Sequence, residues 1–165
     1  MNIGVVSLGC VKNRVDTEQM LAVLTQAGHT FTPDPAEADI IIVNTCGFID
    51  PAKEESIQTI LEMAGYKQTG RCKKLIVTGC LAQRYGDALL QDMPEIDALL
   101  GVSQYDRITE AVEGVLDGQR PDYRQRRWEM LECGRVLTTP AYSAYVRIGE
   151  GCDNRGAYCA IPLIR

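Results

Sequence analysis

Asp39-Ile40-Ile41-Ile42-Val43-Asn44 sets four β-branched residues in unbroken succession. Such side chains are stiff at χ1 and favour extended backbone. A run that is apolar on both alternating faces belongs to a strand covered on both sides. Asp50-Pro51 follows shortly after, a helix N-cap with proline at the first helical position. Working outward, Ile3-Gly4-Val5-Val6-Ser7-Leu8 and Lys74-Leu75-Ile76-Val77-Thr78 read as strands of the same buried kind. Ala98-Leu99-Leu100 is a shorter candidate, and a brief strand is expected over residues 29–32. Between these runs the apolar period changes from two to about 3.6. Asp16 opens a stretch with Met20, Leu21, Leu24 and Ala27 at helical spacing, ended by Gly28. Ile57, Ile60, Leu61 and Ala64 mark the next helix, and residues 81–91 a third. Ile108, Val112, Val115 and Leu116 mark the last, closed by Gly118. Buried strands alternating with amphipathic helices predict an α/β, Rossmann-like parallel sheet with helices on both faces.

This domain is expected to span residues 1–117. Residues 118–140 change character: Arg120, Arg124, Arg126, Arg127 and Arg135 are interleaved with Pro121, Tyr123 and Trp128. They read as a linker with a solvated arginine face; a contact to ribosomal RNA or an acidic partner is the alternative. A new strand is expected over Ala144-Tyr145-Val146-Arg147-Ile148, at the start of a segment, 141–165, too short to fold alone.

The chain has 165 residues, 45% apolar and 24% charged, enough to bury a real core. No apolar stretch approaches the ~20 residues of a membrane-spanning helix. The beginning, Met-Asn-Ile-Gly, does not read as a signal peptide. The expected location is cytoplasmic. A net charge of −5 argues against nucleic-acid binding driven by bulk charge.

Seven cysteines are present, at positions 10, 46, 72, 80, 133, 152 and 159. In a reducing compartment this points to metal binding or catalysis rather than to disulfides. No C-x-x-C pair occurs, which disfavours a redox pair or a zinc ribbon. Cys10, Cys46 and Cys80 each follow a predicted strand and precede a predicted helix. In a parallel sheet those strand ends meet at one edge, where open α/β sheets bind ligands. Three thiols there could hold three irons of a [4Fe–4S] cluster, with the fourth iron open. The bland alternative is that each is a small buried hydrophobe. Cys152 and Cys159 have the outer spacing of C-x₃-C-x₂-C, with Gly156 at the middle position. The single histidine, His29, makes a Cys–His nucleophile unattractive.

Taken together, four segments carry a specific likeness. They are Ser7-Leu8-Gly9-Cys10-Val11-Lys12-Asn13-Arg14-Val15-Asp16, Asn44-Thr45-Cys46-Gly47-Phe48-Ile49, Thr78-Gly79-Cys80-Leu81-Ala82-Gln83-Arg84-Tyr85 and Glu150-Gly151-Cys152-Asp153-Asn154-Arg155. In this order they resemble the methylthiotransferase family of radical S-adenosylmethionine enzymes. Within that family the chain looks most like the enzymes acting on an aspartate of a ribosomal protein; those acting on transfer-RNA adenosine are the alternative. A non-catalytic iron–sulfur or protein-binding module is a third reading.

The resemblance implies an auxiliary [4Fe–4S] cluster on Cys10, Cys46 and Cys80, which delivers sulfur. It implies a radical [4Fe–4S] cluster on Cys152 and Cys159, with Tyr158 near the adenine of S-adenosylmethionine. It implies an aspartate β-carbon of a small-subunit ribosomal protein as target, and an electron donor as partner. Residues 141–165 would be the start of a radical barrel, a fold of ~250 residues when complete. Gly156 stands where the family has its middle cysteine, so this chain alone is expected to be inactive. Lys12, Asn13, Arg14, Gln83 and Arg84 could line the cluster mouth or serve as ordinary helix polarity. Asp16 reads as a helix cap rather than a catalytic acid. Cys72 and Cys133 read as bystanders. The tail from Tyr142 to Arg165 is expected to pack poorly.

Overall fold

A computed structural model describes residues 1–125, 127 and 133–165. In chain order the elements are β1 (Asn2–Ser7), α1 (Val11–Gln26), β2 (Thr30–Thr32), β3 (Ile40–Thr45), α2 (Asp50–Thr69), β4 (Lys74–Gly79), α3 (Cys80–Asp92), β5 (Ala98–Leu100), α4 (Ile108–Leu116), β6 (Asp122–Tyr123) and α5 (Ile161–Ile164). The described strands form one sheet in the order β2-β1-β3-β4-β5-β6. Every pairing is parallel.

The β-branched run behaves as its composition requires. Every residue of β3 is buried. Ile41 and Val43 face one side, where they join Leu75, Val77, Ile60, Met63 and Leu81 beneath α2 and α3. Ile40 and Ile42 face the other, with Ile76, Met20, Leu24, Ile108 and Val112 beneath α1 and α4. Each fully buried isoleucine contributes about 1.5–3 kcal/mol relative to exposure. The two-sided core therefore dominates the stability of the sheet.

The chain leaves β1 for the edge strand β2, then crosses back to place β3 on the opposite side of β1. The winding direction reverses between β1 and β3. Parallel α/β sheets open a crevice at such a reversal, outside the strand carboxyl ends. Ser7 of β1 pairs with Asn44 of β3, and Asn44 with Thr78 of β4. The loops that follow these residues start side by side.

Several expectations need correction. The first helix begins at Val11, so Asp16 lies inside it and does not cap it. Residues 118–140 are not merely a linker, since Asp122–Tyr123 adds the sixth strand beside β5. Nor do the described linker arginines form a solvated face. Arg120 donates to the carbonyls of Ile96 and Met93 at 2.8 and 3.2 Å. Arg124 pairs with Asp87 and Asp122, and Arg127 with Asp106. Arg135 pairs with Glu18, whose side chain is fully buried. Arg126 and Trp128 lie outside the described residues. Residues 144–148 form no strand: Val146 and Ile148 are 80% and 95% exposed. Among the described residues no helix is long and apolar enough to cross a membrane.

Candidate metal centre at the sheet edge

Cys10 lies at the N-cap of α1, with extended backbone and no side-chain cap bond. Cys46 follows β3 directly, and Cys80 opens α3. Cys10 is exposed, whereas Cys46 and Cys80 are buried. The structure brings all three to the same crevice. The Oδ1 of Asn13 lies 3.9 Å from the Cys10 sulfur and 3.6 Å from that of Cys80. A Cβ added to Gly9 would stand 2.8 Å from the Cys46 Cβ and 3.2 Å from its sulfur. Gly9, the residue before Cys10, is thus in direct contact with Cys46.

Glycine is required by these approaches. Gly79 has φ +96°, and a Cβ there would meet the Asn44 Oδ1 and the Thr45 carbonyl at 2.3 and 2.4 Å. Gly47 packs directly on the start of α3: a Cβ would stand 2.8 Å from both N and Cα of Leu81. Ser56 of α2 fixes the Cys46 backbone. Its hydroxyl accepts from the Cys46 N–H and donates to the Cys46 carbonyl, each at 3.0 Å. Burial pushes the Cys80 thiol above its ordinary pKa, and the neighbouring Arg165 guanidinium pulls against that.

That guanidinium was not foreseen. Arg165 reaches the crevice from the tail, with its side chain 3% exposed. It donates to Asp16 at 2.7 Å and to Asn13 Oδ1 at 3.0 Å, and lies 3.9 Å from the Cys80 sulfur. Arg147, also from the tail, donates to Asp16 at 2.9 Å, to Gln19 at 3.0 Å and to the Tyr105 hydroxyl at 2.7 Å. Glu150 joins both arginines, and Lys12 pairs with it at 3.5 Å. Ile164 is buried against Cys80 and Val102. The tail is therefore anchored at Arg147, Ile164 and Arg165, although the residues between are mostly exposed. Poor packing was the expectation; a buried charge network overrides it. Nothing in the sequence signals that Asp16 and arginines more than a hundred positions away share one site.

The remaining candidates are placed as follows. Cys152 is exposed and Cys159 half-buried. Cys152 lines a cavity of about 120 Å³ with Tyr105, Arg127, Arg147, Ile164 and Arg165. Tyr158 is fully exposed and touches no part of the crevice. Lys12 donates to the Gly149 carbonyl at 2.9 Å, while Arg14 is exposed. Gln83 bridges the Arg124 carbonyl and the Val102 N–H, and Arg84 donates to the Gly47 carbonyl at 3.3 Å. Cys72 is buried, its thiol 3.3 Å from the Lys74 carbonyl. Cys133 packs at the margin of the α1–α4 core.

Comparison with known proteins bears on this arrangement. The profile of the uncharacterized protein family UPF0004 matches residues 2–101, which carry all three crevice cysteines. The chain belongs to the UPF0004 family. Its similar relatives include the ribosomal protein uS12 methylthiotransferase RimO of Desulforamulus reducens, 54% identical over 99% of this chain and 38% of the relative. The RimO of Symbiobacterium thermophilum is 49% identical over 100% of the chain and 34% of the relative. That of Clostridium perfringens is 53% identical over 99% and 37%. This UPF0004 chain thus spans a little over a third of the length of the curated relatives it matches.

Proposed function

We propose that this chain is the sulfur-delivering portion of a ribosomal protein uS12 methylthiotransferase, and that Cys10, Cys46 and Cys80 hold its auxiliary [4Fe–4S] cluster. The observation that carries the reading is the meeting of three thiols, each just after the carboxyl end of a separate parallel strand, beside the reversal between β1 and β3. The donor set suits a cluster, in which each thiolate takes its own iron. Among the described residues no three His, Cys, Asp or Glu side chains form a ready-made metal-ion site, so the reading rests on the shared crevice and not on a preformed ligand set. When bound, such a cluster supplies sulfur for transfer to an unactivated carbon, here the β-carbon of an aspartate of the ribosomal protein.

The chain's own residues shape that environment. Gly9, Gly47 and Gly79 let backbone and sulfur approach where any Cβ would intrude. Arg165 holds a buried positive charge beside the Cys80 sulfur, where it would favour the thiolate form that iron binding requires. Val11, Phe48 and Ile49, each about half exposed, give the rim an apolar surface. Cys152 and Cys159 belong, on this reading, to the radical cluster that binds S-adenosylmethionine, with Tyr158 beside its adenine. Gly156 offers no ligand atom between them. The chain by itself is therefore proposed to lack radical activity and to need an electron donor and the rest of the enzyme. A ribosomal substrate places the reaction in the cytoplasm.

The test is anaerobic reconstitution with iron and sulfide, followed by iron counting and electron paramagnetic resonance. The chain is compared with its Cys10→Ala/Cys46→Ala/Cys80→Ala variant. About four irons per chain, lost in the variant, is the expected result. Iron uptake that ignores the triple substitution would overturn the reading. Cleavage of S-adenosylmethionine by this chain would overturn the assignment of inactivity.

A further inference from the structure

We infer that Asn13 is the positioning residue of the thiol crevice, one carboxamide that ties the three cysteine loops together. The inference builds on the cluster reading above and goes beyond it by naming what sets the spacing of the ligands. Asn13 lies in the first turn of α1, three residues after Cys10, and is completely buried. Its Nδ2 donates to the carbonyl of Thr45, the residue before Cys46, at 2.8 Å. Its Oδ1 faces the sulfurs of Cys80 and Cys10 and accepts from Arg165. The orientation of the amide is fixed by its neighbours: a carbonyl can only accept, and a guanidinium can only donate. Asn44 holds the Asn13 backbone in turn, its Nδ2 donating to the Asn13 carbonyl at 2.8 Å and to the Thr17 hydroxyl at 2.9 Å. A buried amide satisfied on both sides gives rigidity as well as energy. Aspartate cannot replace it, because an acceptor oxygen would then stand where Nδ2 donates to the Thr45 carbonyl.

Thiol alkylation tests this without any metal. The chain and its Asn13→Ala and Asn13→Asp variants are treated with a maleimide at fixed pH, and each cysteine is followed by peptide mass spectrometry. Buried Cys72, at the opposite end of β4 from the crevice, is the internal reference. Cys80 labelling is expected to accelerate about fivefold in both variants, the weight of one net hydrogen bond, with Cys72 unchanged. Cys80 rates that stay constant, or that rise only in step with Cys72, would overturn the inference, since the second pattern reports general loosening of the fold. Reconstitution supplies a second reading. If the unaltered chain loads iron, the variants are expected to load less and to show a changed resonance signal. Equal loading with an identical signal would overturn the inference. An unaltered chain that takes up no iron would instead remove the cluster reading, and the alkylation result would still decide the role of Asn13.

Discussion

Asp16→Asn keeps the shape of the side chain and removes only its charge. Asp16 is 5% exposed and faces two guanidiniums that are 10% and 3% exposed. Breaking a buried ion pair by deleting one partner costs about 3–5 kcal/mol, because the other charge is left without compensation. Glu150 still reaches both arginines at 3.5 and 3.1 Å, so the lower end, about 3 kcal/mol, applies. The arginines have an escape that an interior pair lacks: both belong to the tail, which can detach and return them to water. Burial of Ile164 opposes detachment by about 1.5–3 kcal/mol, alongside the bonds of Arg147 to Gln19 and Tyr105 and of Arg165 to Asn13. The penalty is comparable with the apolar part of that anchorage, so the tail should loosen while the sheet persists. Hydrogen exchange can follow this at the Arg165 N–H, which bonds the Ile161 carbonyl at 2.8 Å. At tenfold per 1.4 kcal/mol, about 3 kcal/mol corresponds to a loss of roughly a hundredfold in protection. The urea midpoint of the sheet should move little. Unchanged protection at Arg165, or a fall in sheet stability with the tail still protected, would refute the claim that this network anchors the tail.

Gly79→Ala should destabilise the fold by more than the roughly 1–3 kcal/mol of positive-φ backbone strain, because its Cβ would also strike Asn44 and Thr45; chemical denaturation measures this. Burial pushes the Glu18 carboxyl up, but hydrogen bonds from Arg135 and Thr138 outweigh it and hold the group below its ordinary pKa. The stability it contributes is present above that ordinary value and is lost as pH falls through the lowered one. Amide protection at Val136 and Thr138, which bond Glu18, should therefore weaken on acidification below about pH 4, and Glu18→Gln should abolish this dependence. Gly156→Cys has room, its Cβ meeting only the Cys159 Cβ at 3.5 Å, and should raise iron uptake above that of the unaltered chain on reconstitution.

The sheet was legible because its strands announce themselves locally. Ile40 to Val43 can be satisfied only by cover on both faces, and the same holds for Leu75 to Val77. The convergence of Cys10, Cys46 and Cys80 followed from topology alone, since equivalent positions after parallel strands share an edge. Residues 144–148 misled for the reason the others succeeded. Their alternation suits a strand, but no described strand pairs with them, and Arg147 is instead drawn to Asp16. Long-range polar partners were the least legible. Arg120 seeks backbone carbonyls of residues 93 and 96, and Arg135 seeks Glu18 more than a hundred positions earlier. Charge says that a partner is wanted without saying where it is. For the same reason the sequence leaves Asn13 open between cluster mouth and helix polarity, and makes Asp16 look like a helix cap.

The anchored tail also orders events in time. Cys80 precedes Arg165 by 85 positions. At the usual 5–20 residues per second, synthesis of that interval takes roughly 4–17 s. All three crevice thiols are therefore made before the guanidinium that lies beside the Cys80 sulfur. A nascent chain passes through a period in which Asp16, Asn13 and Cys80 are present without the guanidinium that later joins them.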